Sequence, residues 1–208
     1  MFRRKNTFSY DASEIPDLTR TVERHYPDPD HRVDAWARRF VDEQQDHDTM
    51  GILLAMIAAI KSEFDYNPRD EMGTQDPLVT LESAKGTCRD FALFLMEAAR
   101  SLGLAARFVS GYLYDDARIG EGEGVVGGGA THAWAQIYLP GAGWVEFDPT
   151  NNLVGGRNLI RVAVARDPKQ AIPLGGTFTG APADYLGMTI QVEVTAEPDA
   201  PVNASEAK

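Results

Sequence analysis

The chain has 208 residues, 43% of them hydrophobic and 25% charged, with 20 basic against 31 acidic side chains and a net charge of −11. This composition excludes gross disorder, and the length suits one compact domain with a real core. A negative field of this size repels phosphates and anionic lipid, so neither nucleic acid nor a membrane surface is expected as a partner.

The lone cysteine, Cys88, excludes a disulfide within the chain. The basic start, Met1-Phe2-Arg3-Arg4, is followed by no apolar core, so it does not read as a signal peptide. The longest apolar run, Met50 to Ile60, is too short to span a bilayer and reads as a buried helix. A cytoplasmic location is the expectation.

Taken in chain order, residues 1–27 show little periodicity, are punctuated by Pro16 and Pro27, and read as an irregular lead-in. Val33, Trp36, Ala37, Phe40 and Val41 then form the stripe of an amphipathic helix begun by Asp28-Pro29-Asp30. A second helix, Asp48 to Phe64, is apolar around most of its circumference and should be central. A third starts at Thr87-Cys88-Arg89-Asp90, a capping-box pattern. It buries Phe91, Phe94, Leu95, Ala98 and Leu102, and Gly103 stops it.

From there the period changes to two. Ala105 to Tyr114, His132 to Leu139, Trp144 to Asp148 and Leu159 to Ala165 read as strands, with a last one at Met188 to Thr195. The glycine-rich segment 118–130 reads as a mobile loop or lid, and residues 197–208 as a disordered tail. Helices followed by an antiparallel meander indicate an α+β domain over 28–196.

Cys88 falls at the first helical position, where unpaired N–H groups and the helix dipole stabilise a thiolate and an oxyanion. A thiol there needs a base. His25, His31 and His47 lie among polar residues near the N-terminal helices and read as solvated surface side chains. His132 instead opens a strand and shares one face with Trp134, Gln136 and Tyr138, while Ala133, Ala135, Ile137 and Leu139 take the core face. A hairpin centred on Pro140 would set Asp148 directly opposite His132. One centred between Gly141 and Ala142 would slip Asp148 by three residues. Three scattered side chains lack the paired spacings of a structural zinc site, so no metal or other cofactor is expected.

Four blocks in this order resemble the transglutaminase-like superfamily: Gly86-Thr87-Cys88-Arg89-Asp90-Phe91-Ala92, the stretch from Gly103 to Tyr112, Thr131-His132-Ala133-Trp134, and the stretch from Gly143 to Asn151. They are most similar to its bacterial branch of transglutaminase-like cysteine peptidases. The resemblance implies a papain-like core, with a nucleophile helix packed on an antiparallel sheet. It implies Cys88, His132 and Asp148 as catalytic triad, and an amide-bearing protein or peptide as substrate.

Hydrolysis and transamidation through a Cys88 thioester both fit that resemblance. A silent scaffold or peptide-binding module, or an acyltransferase using the same three residues, are the alternatives. Bacterial relatives often carry an N-terminal β-domain that is not seen here, and no calcium-loop pattern is recognisable. Animal enzymes hold the oxyanion with an upstream tryptophan. The only one before Cys88 is Trp36, expected to pack in its helix stripe, so Tyr66 is the candidate substitute. Tyr66 and Trp134 are the candidate substrate contacts.

Overall fold

The computed structural model describes residues 9–43, 48–68, 73–114, 131–156, 158–172, 177 and 179–187. The glycine-rich segment, His47, the strand expected at Met188 to Thr195 and the tail lie outside them.

The lead-in is not irregular throughout: Ile15–Val22 forms a helix, α1. Pro16, read as punctuation, occupies its first turn, where a residue without an N–H costs no hydrogen bond. Helix α2 is Arg32–Glu43 and α3 is Thr49–Glu63. The Asp48 side chain caps α3 by accepting from the N–H groups of Met50 and Gly51. After α3 come a two-residue strand β1 (Asp65–Tyr66), a short helix α4 (Pro77–Ser83) and a second short strand β2 (Lys85–Gly86). Helix α5, Cys88–Ser101, ends before Gly103, whose φ of +89° favours glycine.

The main sheet contains β3 (Ala106–Leu113), β4 (Thr131–Leu139), β5 (Gly143–Asp148), β6 (Leu153–Val154) and β7 (Leu159–Ala165), in the order β6-β5-β4-β3-β7 and antiparallel throughout. It is therefore not a simple meander. After β6 the chain returns across the sheet, and β7 pairs beside β3.

Helix α5 lies between this sheet and helices α2, α3 and α4. Its Phe91, Leu93, Phe94, Leu95 and Met96 are at most 2% exposed. The expected core face of β4, Ala133, Ala135 and Ile137, joins the same cluster. Trp36 packs edge-on against Phe40, Phe64 and Phe94, as its helix stripe requires. On the other sheet face Trp134 forms a second apolar cluster with Val109, Leu113 and Leu159.

Two polar features tie the N-terminal segment to this frame. Arg100, 2% exposed, pairs with Glu97 at 2.8 Å and donates to the carbonyls of Thr21, Ala106 and Arg166. The Tyr10 hydroxyl accepts from the Ala105 amide at 2.7 Å. His25 is half-buried beside Asp167, 3.7 Å from its carboxylate, rather than solvated; His31 is exposed.

Candidate active site

The start of α5 is fixed by contacts that begin in local sequence. Asp90, fully buried, accepts from the Thr87 amide at 2.8 Å and from the Thr87 hydroxyl at 2.9 Å, closing the capping box. Its other oxygen takes the Gln75 amide at 2.8 Å, which the four-residue pattern alone does not announce. A Cβ on Gly86 would stand 2.8 Å from that of Asp90, so only glycine lets the two backbones come this close. Cys88 follows at the first helical position, 8% exposed and free.

Parallel pairing of β1 with β2 sets Tyr66 against Gly86, two residues from Cys88, and the Asn67 amide donates to the Gly86 carbonyl at 2.8 Å. Tyr66 thus reaches the cleft at Cys88. Its phenol pKa is raised, first by burial and then by the charge on the Cys88 sulfur and a hydrogen bond to it.

His132 enters the same cleft from β4. It is 1% exposed, and its Nε2 lies 2.8 Å from Asp148 Oδ2. The register that produces this contact is neither of the two expected. Ala135 pairs with Phe147 and Leu139 with Gly143, so the hairpin centres on Gly141. Asp148 then falls across from Trp134, diagonal to His132, and a carboxylate reaches the imidazole along that diagonal.

Asp148 is itself held. Its Oδ1 accepts from the amides of Thr150 and Asn151 at 2.9 and 3.3 Å, and its Oδ2 accepts from Asn151 Nδ2 at 2.9 Å. Asn151 also comes within 3.5 Å of the His132 ring. It stood in the resembling block without a role; the turn after β5, which brings it back over Asp148, provides one.

The imidazole of His132 carries a strongly raised pKa, about 10. Burial alone would lower it. Hydrogen bonds to Asp148 and Cys88, and the negative charges of both, outweigh that penalty. Nδ1 is buried without a geometrically complete hydrogen bond, and Cys88 is the neighbour besides Asp148 that acts on the ring. The imidazolium is therefore the favoured form at neutral pH.

Trp134 does not contact substrate space. It is fully buried, its ring stacks on His132 with centroids 6.0 Å apart, and its indole N–H donates to Glu146. The expected substrate contact is thus corrected to a support for the histidine. Glu146 also accepts from Gln136 at 2.6 Å, and Gln136 accepts from Arg107 at 2.7 Å. Gly111 pairs with His132, and a Cβ there would meet the Ile160 carbonyl at 2.1 Å and the Trp134 ring at 2.7 Å. The cleft has a volume of about 130 Å³ and is bounded by Tyr66, Thr87, Cys88, Arg89, Ser110 and His132, together with Pro68 and Thr131.

A cysteine at a helix start, with a histidine and a carboxylate on the facing antiparallel sheet, defines the papain-like class. The chain belongs to the transglutaminase-like superfamily, whose core profile matches residues 34–149. It is 31% identical over 161 residues to the uncharacterised protein ML0607 of Mycobacterium leprae, covering 77% of this chain and 55% of that protein. It is also 31% identical over 146 residues to the uncharacterised Rv2569c of Mycobacterium tuberculosis, covering 68% and 46%. The chain spans about half the length of the curated relatives it matches.

Among solved structures, a candidate cysteine protease from Cytophaga hutchinsonii superposes with a TM-score of 0.58 at 22% identity, covering 74% of this chain and 49% of that one. The periplasmic domain of TgpA from Pseudomonas aeruginosa gives 0.50 at 20% identity, covering 66% and 48%. At such identities the likeness is one of fold.

Proposed function

We propose that the protein is a cysteine-dependent acyl-transfer enzyme acting on amides, with Cys88 as nucleophile, His132 as acid and base, and Asp148 holding the imidazole. The observation that supports this most is the 2.8 Å His132–Asp148 contact on a ring that faces the Cys88 cleft.

The Cys88 thiolate attacks the carbonyl carbon of a peptide bond or a glutamine carboxamide. The oxyanion is met by the Cys88 amide, one of the N–H groups a helix start leaves free, and by the Tyr66 hydroxyl. The C–N bond breaks as the His132 imidazolium gives its proton to the departing amine, leaving a thioester. Neutral His132 then takes a proton from water or from an incoming amine, which attacks the thioester. The carboxylic acid or the new amide leaves, and the thiolate–imidazolium pair returns. Asp148 fixes which nitrogen faces the sulfur and keeps the ring charged.

The test is the rate of Cys88 alkylation by iodoacetamide across pH, in the wild type and in His132→Ala. A reactive thiolate at neutral pH that the substitution abolishes is expected. A thiol titrating as a free cysteine in both proteins would sink the proposal. Mass spectrometry on a glutamine peptide, with and without a primary amine, then separates transamidation (amine incorporated) from hydrolysis (a gain of one dalton on deamidation, or two fragments).

A further inference from the structure

Arg89 follows the nucleophile and lines the cleft, half-buried, yet makes no hydrogen bond or ion pair among the described residues. That is unusual in this chain, whose 31 acidic residues outnumber its 20 basic ones. Other arginines are engaged: Arg20, Arg24, Arg32, Arg38, Arg39 and Arg100 each meet a carboxylate. The nearest carboxylate in sequence, Asp90, is fully buried and turned into the capping box. The charge of Arg89 is felt at the Tyr66 hydroxyl across the cleft, where it opposes the effect of Cys88.

An unpaired planar guanidinium beside a reacting carbonyl is a two-pronged receptor for a carboxylate. The other groups at the same mouth, the hydroxyls of Ser110 and Thr131, are neutral donors that suit the same anion. We infer that Arg89 forms a carboxylate subsite next to Cys88, so that the cleft selects acyl donors bearing an acidic group close to the attacked carbonyl. This rests on the thioester chemistry proposed above. Against the protein's negative surface, such a subsite also confines anionic substrates to one place, because the rest of the surface repels them.

Two alkylating reagents of the same chemistry and different charge isolate the point. For wild type, Arg89→Gln and Arg89→Lys, the rate of Cys88 modification is measured with iodoacetate and with iodoacetamide at low salt. The iodoacetate-to-iodoacetamide rate ratio is expected to fall about tenfold in Arg89→Gln and to recover in part in Arg89→Lys. Any effect of the substitution on Cys88 itself cancels in the ratio. Fast modification by both reagents with an unchanged ratio overturns the subsite and leaves the thioester reading standing. Slow modification by both, unaffected by His132→Ala, overturns both.

The source of the carboxylate is then read from three peptides matched in length: one with a glutamate beside the acyl donor, one with a free C-terminus there, and one amidated and neutral. Arg89→Gln is expected to raise KM about tenfold more for the anionic peptide that fits than for the neutral one. Equal losses on all three overturn the inference.

Discussion

The charge on His132 depends on two neighbours of one buried ring, Asp148 and Cys88. Asp148→Asn removes the charge of one while keeping an acceptor of the same shape. The His132 pKa should drop from about 10, and the alkaline limb of Cys88 alkylation should move to lower pH. The rate at neutral pH is expected to fall at least about tenfold. An unmoved limb would mean that Asp148 only packs. Behind the ring, Trp134 and Glu146 act through position alone. Glu146→Gln keeps one acceptor oxygen where two were used, so either the indole N–H or the Gln136 amide loses its partner. It should lower kcat on a glutamine peptide and shift its pH profile with little change in KM, and Glu146→Asp should restore part of both. A loss confined to KM would contradict this.

Among the elements, α5 carries the most consequence, because it joins the site to the core. Its buried Arg100–Glu97 pair is expensive to break from one side: Arg100→Met leaves Glu97 only the longer 3.7 Å ion pair with Arg24, and should cost about 3 kcal/mol by urea denaturation. At the sheet, Gly111→Ala forces β7 or the Trp134 ring to move. The expected loss is about 1–3 kcal/mol, with slower Cys88 alkylation as His132 shifts.

The same elements explain what the chain disclosed of itself. The α5 start was legible because Thr87 and Asp90 satisfy each other within one turn, with no distant partner needed. Helices α1 and α4 were missed for one reason. Proline reads as a break in a sequence, whereas Pro16 and Pro77 each stand in a first helical turn. The His132–Asp148 contact was half legible. Alternation gave the shared face, but the turn after Leu139 permits several registers, and the one chosen depends on the whole sheet. Trp134 shares the His132 face, yet only the packing of Val109, Leu113 and Leu159 on that face reveals that it is covered. Arg89 was legible as a position and not as an unpaired charge, since ion pairing is decided by tertiary neighbours.

For the molecule as a whole, the raised His132 pKa links the site to stability. The folded value, about 10, lies above the ordinary 6.5. The contribution to stability is therefore complete below about pH 6.5 and is lost as pH rises through about 10. The urea midpoint of the wild type should decline between pH 7 and 10 more steeply than that of His132→Gln. Parallel curves would place the charge elsewhere.

The strand order has a further effect in time. β3 is held on one side by β4 and on the other by β7, so the sheet on which α5 rests is complete only when β7 arrives. At about 5–20 residues per second, β7 leaves the ribosome about sixty residues after α5, on the order of 3–12 s later. For those seconds α5, whose residues from Asp90 to Arg100 are all buried in the finished fold, rests on a sheet that still lacks one edge strand. His132 and Asp148, on β4 and β5, leave the ribosome before β7, so the groups around Cys88 are all present while β3 still lacks that neighbour. The nascent chain therefore shows an unpaired edge of β3, open to aggregation and to chaperones, until β7 closes it.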